Sequence, residues 1–484
     1  MVKKCTQASI FRFLHYQFNH FSSGTKWSHD VGYDTKDLNF AEQMLRAHNY
    51  QFGVLKEINS PVVERAFNAW IKYINLNANL VSPTSLPWLK DITIVESSTL
   101  LDQENKAVGG VTIAPNQQLN QRIVVVINAN LGGGYNDGDK KYSTLIHEIG
   151  HALGLFTSGS VTHPHQHNSA YRQDTTVMSY IDGAYIGNGI GQKYASTPMM
   201  YDIAALQHLY GAKGDTTSGN NRYEITDTKK GWTIWDSGGK DTLDASALPA
   251  SRSVLIDLRG GTDENNNVYF SQTVNGFLKP EEGKYYGKPY GSKEVVAIAY
   301  QDANTSQDKV RIEDGWGGAG HDVLIGGKGA NELKGNGGND TLIGGNGIDT
   351  LDGGAGIDFL YGDQDDVLKG GEHTDLIASY QGVEQEDGSV LLGSTSWAQL
   401  YGGTGEDALT GDGATDHFGI FGLGIVKGGA EKIDRVYVNN RQATGGETPF
   451  IYDMPAAWNP WQGHLLALFN GSPQEENGAT LGVK

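Results

Sequence analysis

Apolar positions along the first 210 residues fall at the intervals of helices and strands, and those after about 310 fall at an interval of nine. Residues 61–78 (PVVERAFNAWIKYINLNA) put Val63, Ala66, Phe67, Trp70 and Ile71 on one helical face behind Pro61, which predicts an amphipathic helix. Helical stretches are also expected near 6–20 and 38–47, with SSGTKWSHDVGYDT between them reading as a loop. Three strands follow, Ile92–Glu96, Gly109–Ala114 and Arg122–Asn128, the last apolar enough to be central in a sheet. A helix starts near Ser143, and another runs from Met199 to Tyr210 and ends at Gly211. Strands ahead of such a helix predict an α/β or α+β unit. From about Asn220 the texture turns to short strands and turns, placing a domain boundary near 212–235.

The nine-residue interval begins at Gly317: GGAGHDVLI, GGKGANELK, GNGGNDTLI, GGNGIDTLD, GGAGIDFLY. This is the GGxGxDxUx pattern of calcium-binding parallel β-rolls. A short unit, GDQDDVLK, is followed by GGEHTDLIA and, after a gap, by GGTGEDALT and GDGATDHFG. Glycines let the backbone turn and aim carbonyls at an ion, and the aspartate carboxylate closes the site. The aspartates are Asp322, Asp340, Asp349, Asp358, Asp375, Asp407 and Asp416, with Leu324, Leu333, Leu342, Leu351 and Leu360 filling a thin interior. Asn331 takes the aspartate's place in the second unit, so that site should be weaker or incomplete. A flexible glycine linker would not keep Asp and Leu in register over five units.

Composition agrees with this. The 484 residues carry 56 acids against 37 bases, a formal net charge of −19, which argues against nucleic acid or anionic membrane as a partner. The 66 glycines are about twice the average share. A lone Cys5 permits no intrachain disulfide, so bound Ca²⁺ would be the staple. The start, MVKKCTQASIFRFLHYQ, is a poor Sec signal, and no run reaches the ~20 apolar residues of a membrane span. The chain is therefore expected to stay in the cytosol or to leave by a route without an N-terminal signal.

The densest chemistry is His147-Glu148-Ile149-Gly150-His151-Ala152-Leu153-Gly154. This is the HExxH pattern: residues i and i+4 of a helix share a face, so His147 and His151 can share one Zn²⁺, with Glu148 as general base. Gly154 permits a sharp turn out of the helix, after which a third ligand can return. Thr157 stands where a histidine three residues past that glycine would be expected. His163, His165 and His167 follow, and any of them could reach a metal, His163 being the preferred choice. Tyr180 could coordinate the ion or hydrogen-bond to a tetrahedral intermediate, and Met178 would form an apolar floor beneath it. Gly132-Gly133-Gly134 lacks a following Lys-Ser/Thr and reads as a loop.

These residues resemble the serralysins, metalloproteases of the metzincin clan. HEIGHALGL at 147–155, MSY at 178–180, DIAALQHLYGA at 202–212, WDSGGKDTLDAS at 235–246 and the repeats occur in that family's order. The resemblance implies an α+β metzincin-like catalytic domain followed by an all-β parallel β-roll. The divisions would be an N-terminal segment over 1–60 (including a candidate propeptide), a catalytic domain over 61–215 and a roll over 216–484. It implies a secreted zinc endopeptidase, monomeric, acting on proteins or peptides and exported by a type I secretion apparatus. His147, His151 and His163 become zinc ligands and Glu148 the base. Tyr180 becomes a switchable fifth ligand and Met178 the Met-turn floor. Gly109, Gly110, Val111, Thr112, Ile113 and Ala114 become the edge strand that pairs with substrate. Placing His163 on the family's third ligand requires a six-residue insertion near Phe156–Val161. That displacement leaves a second expectation, a catalytically impaired relative acting as a calcium-dependent binding or adhesion protein.

Overall fold

The computed structural model describes Trp27 and residues 30–81, 91–114, 122–155, 173, 175–180, 194–213, 217–228, 230–261, 270–274, 294–299, 311–362, 366–373 and 375–379. Beyond these it describes the backbone of strands between 382 and 481. The expected helix near 6–20 lies outside the described residues.

The first unit contains strands β1 (Val31–Asp34), β2 (Gln51–Phe52), β3 (Leu55–Glu57), β4 (Ala78–Leu80), β5 (Ile92–Ser97), β6 (Leu100–Leu101), β7 (Gly110–Ile113) and β8 (Ile123–Asn128). Its helices are α1 (Leu38–Ala47), α2 (Ser60–Ile71), α3 (Lys140–Ala152) and α4 (Met200–Tyr210). The sheet runs β4-β1-β5-β8-β7, with β3 also on β5. β1, β4, β5 and β8 are mutually parallel, and β7 is antiparallel to β8. Every residue of β8 is buried because helices cover both faces. Ile123, Val125 and Ile127 pack with Val63, Phe67 and Trp70 of α2 and Leu145, Ile146 and Ile149 of α3. Val124 and Val126 meet Ala41 and Leu45 of α1 on the other face.

Two elements differ from the sequence expectation. The segment read as a loop holds β1, all four residues buried, lying between β4 and β5. It is too short to show a period, and its burial comes from distant strands. Loss of residues 1–35 would therefore remove an interior strand. The helix expected over 61–78 ends at Ile71. Beyond it the chain turns to bond elsewhere: Asn75 donates its backbone N–H to Gly211 O at 3.0 Å and Nδ2 to Ala212 O at 3.0 Å.

From Arg222 onward the chain builds two long sheets, largely parallel. Successive half-turns alternate between them, so residues 18 apart pair: Leu324 with Leu342, Leu342 with Leu360, and Leu333 with Leu351. These leucines are fully buried, each contributing roughly 1.5–3 kcal/mol of apolar transfer. The earliest strands of this unit join the first unit's core, where Trp235 packs edge-on to Tyr73 at 6.0 Å. Among the described residues no helix is long and apolar enough to cross a membrane.

Candidate metal centre and calcium-binding roll

The C-terminus of α3 builds the first site. Leu153 caps the helix and Gly154 adopts φ +109°, a left-handed geometry that favours glycine. Gly154 N–H bonds His151 O at 3.0 Å and Leu155 N–H bonds Gly150 O at 2.9 Å, the paired bonds of a Schellman cap. This turn carries Leu155 O to His151 Nδ1 at 2.7 Å. His147 Nδ1 likewise meets Val177 O at 2.7 Å. A carbonyl can only accept, so each Nδ1 carries the proton, and in the neutral ring Nε2 keeps its lone pair, the tautomer a metal needs. The two rings lie 4.8 Å apart, edge to face. Burial holds the His147 pKa below its ordinary value, favouring the neutral, ligating form.

Val177 is itself held. Asp202, at the start of α4, accepts from Val177 N–H and Met199 N–H, both at 2.8 Å, and from the Thr176 hydroxyl at 2.5 Å. Met178 is fully buried under α3, where a Cβ on Gly150 would come within 2.7 Å of its Sδ. Gly150 thus leaves room for Met178 and Trp70 against the helix, a fit that the sequence pattern does not reveal. Tyr180 is half-exposed, its ring stacked on His147 at 5.5 Å.

Glu148, next to His147 on α3, is buried and faces β7, where the Thr112 hydroxyl reaches its carboxylate. Burial pushes its carboxyl up to about 7, against the opposing pull of a hydrogen bond from Thr112. Gly110, Val111, Thr112 and Ile113 form β7, the last strand on its side among the described residues, while Gly109 and Ala114 flank it. Among the described residues no third His, Cys, Asp or Glu completes a three-ligand set. His163, His165 and His167 lie outside the described residues. The two locked imidazoles fit a zinc ion as far as they go.

The roll repeats one device. Asp340 Oδ1 accepts from Asp322 N–H at 2.7 Å, Asp349 Oδ1 from Asn331 N–H at 2.8 Å, and Asp358 Oδ1 from Asp340 N–H at 2.8 Å. The other oxygen, Oδ2, of Asp340, Asp349 and Asp358 is buried with no hydrogen-bond partner. Without a countercharge, burial raises these carboxyls to about 9, about 6 and about 6. A bound dication would relieve that desolvation, so these residues fit Ca²⁺. Asp375 continues the ladder, its Oδ1 accepting from Asp358 N–H at 2.9 Å. Asp366 also belongs to it, accepting from Asp349 N–H at 2.7 Å, although its eight-residue unit hid it from a nine-residue count. At Asp322 both oxygens accept backbone N–H groups, from Val254 and Gly318. The backbone of Asp407 is placed in a strand, whereas Asp416 lies outside the described residues.

Asn331 fills the same slot differently. Its Oδ1 accepts from Gly327 N–H and its Nδ2 donates to Glu313 O, each at 2.9 Å. An uncharged amide pointing one N–H at a carbonyl is a poor cation ligand. Asn331→Asp is expected to tighten calcium binding by calorimetric titration. Unchanged affinity and stoichiometry would count against this reading of the turn.

A buried helix with the HExxH pattern lies on a mixed sheet, ahead of a carboxylate-laddered β-roll built on a calcium-binding repeat. The RTX calcium-binding nonapeptide repeat family matches residues 316–351 and 343–377. The chain is related to the serralysins. It is 34% identical over 214 residues to Metalloprotease AprA of Pseudomonas entomophila, covering 39% of this chain and 37% of that protein. Serralysin of Proteus mirabilis is 36% identical over 165 residues (28% of this chain, 33% of the relative). Serralysin G of Dickeya chrysanthemi is 35% identical over 204 residues (38% and 36%). The chain thus spans little more than a third of the length of the relatives it matches.

Proposed function

We propose that this chain is a secreted zinc-dependent endopeptidase stabilised by calcium in its roll. The observation that carries the proposal is the pair of imidazoles, His147 and His151, each fixed through Nδ1 to a backbone carbonyl, with the buried Glu148 carboxylate held beside them against Thr112 of β7. His147, His151 and His163 would hold the ion, and Tyr180 would be an additional ligand at rest. Zinc, when bound, supplies Lewis acidity that polarises the scissile carbonyl and acidifies the attacking water. Glu148 takes the water's proton and returns it to the leaving amine. The Tyr180 hydroxyl steadies the developing oxyanion. The outer edge of β7 offers its backbone to an extended peptide as one more strand. Type I export, a monomeric state and the metzincin assignment of residues 61–215 belong to the same reading.

The displaced third histidine favours a second reading, an impaired relative that binds calcium without cleaving peptides. Casein separates the two. The zinc-loaded chain is expected to cleave it, to stop on addition of 1,10-phenanthroline, and to recover on return of zinc. His163→Ala is expected to lose both zinc and cleavage. Casein left intact by the zinc-loaded wild type would favour the second reading.

A further inference from the structure

Thr112 and Gly110 lie on the same face of β7, since alternate strand residues share a face. Val111 and Ile113 point the other way, into the cluster beneath α1. The Thr112 hydroxyl lies 2.7 Å from Glu148 Oε2 and 2.9 Å from Glu148 O. At Gly110 an added Cβ would stand 2.8 Å from both Glu148 Cγ and Oε1, and 3.0 Å from Thr144 Cγ2. One residue lacks the Cβ that would crowd the carboxylate, and its neighbour on that face provides a hydroxyl to hold it.

We propose that Gly110 and Thr112 form a seat that positions Glu148: Thr112 ties down Oε2, so that Oε1 is the oxygen left to take a proton from water. The inference rests on the reading of Glu148 as the general base. Thr112 acts through Glu148 and is a positioning residue, distinct from any contact its backbone makes with substrate. Its hydroxyl has one proton for two acceptors, and the branched side chain restricts χ1, so the carboxylate is directed without being neutralised. Misplacing a reacting group by about 1 Å can cost on the order of 10²-fold in rate.

The test is Thr112→Val, which keeps the shape and removes the hydroxyl, beside Thr112→Ser, which keeps the hydroxyl. The valine variant is expected to lose about 10- to 100-fold in kcat, with KM and zinc content unchanged. Its crystal structure should show the Glu148 carboxylate turned away from β7. The serine variant should recover most of the rate. Wild-type kcat in Thr112→Val, or equal losses in both variants, overturns the seat while Glu148→Gln still abolishes turnover. Undiminished turnover in Glu148→Gln overturns instead the assignment of the base.

Discussion

Glu148→Ala is expected to lower casein hydrolysis by about 10²–10⁴-fold while the chain keeps its zinc, because the side chain removed is the base and both helix histidines remain. The buried carboxylate has a cost that makes the experiment interpretable. Its folded pKa of about 7 lies above the ordinary 4.5 because burial disfavours the charged form. A raised pKa contributes stability that is fully present below about 4.5 and is lost as pH rises through about 7. Removing Glu148 should therefore not destabilise the zinc-free chain at pH 8, and a fall in activity at an unchanged melting temperature is then assigned to the chemistry. Zinc content and thermal unfolding are measured beside the cleavage rate. Full activity in the variant would remove Glu148 from the chemistry.

Removing calcium at pH 8 is expected to unfold the roll. Asp349 and Asp358 have folded pKa values of about 6 against an ordinary 3.8, a shift on the order of 2 units or roughly 3 kcal/mol each when ionised without an ion. Asp340, at about 9, adds a third unfavourable group between Asp322 and Asp358. Three such terms approach the entire stability of an ordinary domain, about 5–15 kcal/mol. The sign with pH follows. The calcium-free roll keeps this stability below about 3.8 and loses it as pH rises through about 6 and then about 9. With calcium the trend reverses, since the ion binds the ionised carboxylates. Circular dichroism of the calcium-free chain should therefore show more β structure at pH 5 than at pH 8. Equal structure at both, with and without calcium, would mean that the aspartates are not ion ligands.

Local patterns carried much of this design. HExxH, Gly154 and the glycine-aspartate-leucine register all act within a few residues, through helix periodicity, a left-handed cap and a repeating turn. Contacts between distant segments were not legible. Thr112 reads as one more strand residue until the fold brings it against Glu148, 36 positions along the chain. β1 looked like a loop because four residues show no period, and its burial is decided by β4 and β5. The early end of α2 is set by Gly211 and Ala212, far along the chain. Asp366 escaped because an eight-residue unit shifts the count while preserving the ladder.

The zinc content of the purified wild-type chain, measured by elemental analysis beside His147→Ala and His151→Ala, tests the central claim most directly. The account predicts one tightly held zinc per wild-type chain and none in either variant. A wild-type chain that binds no zinc, or variants that keep it, would contradict it.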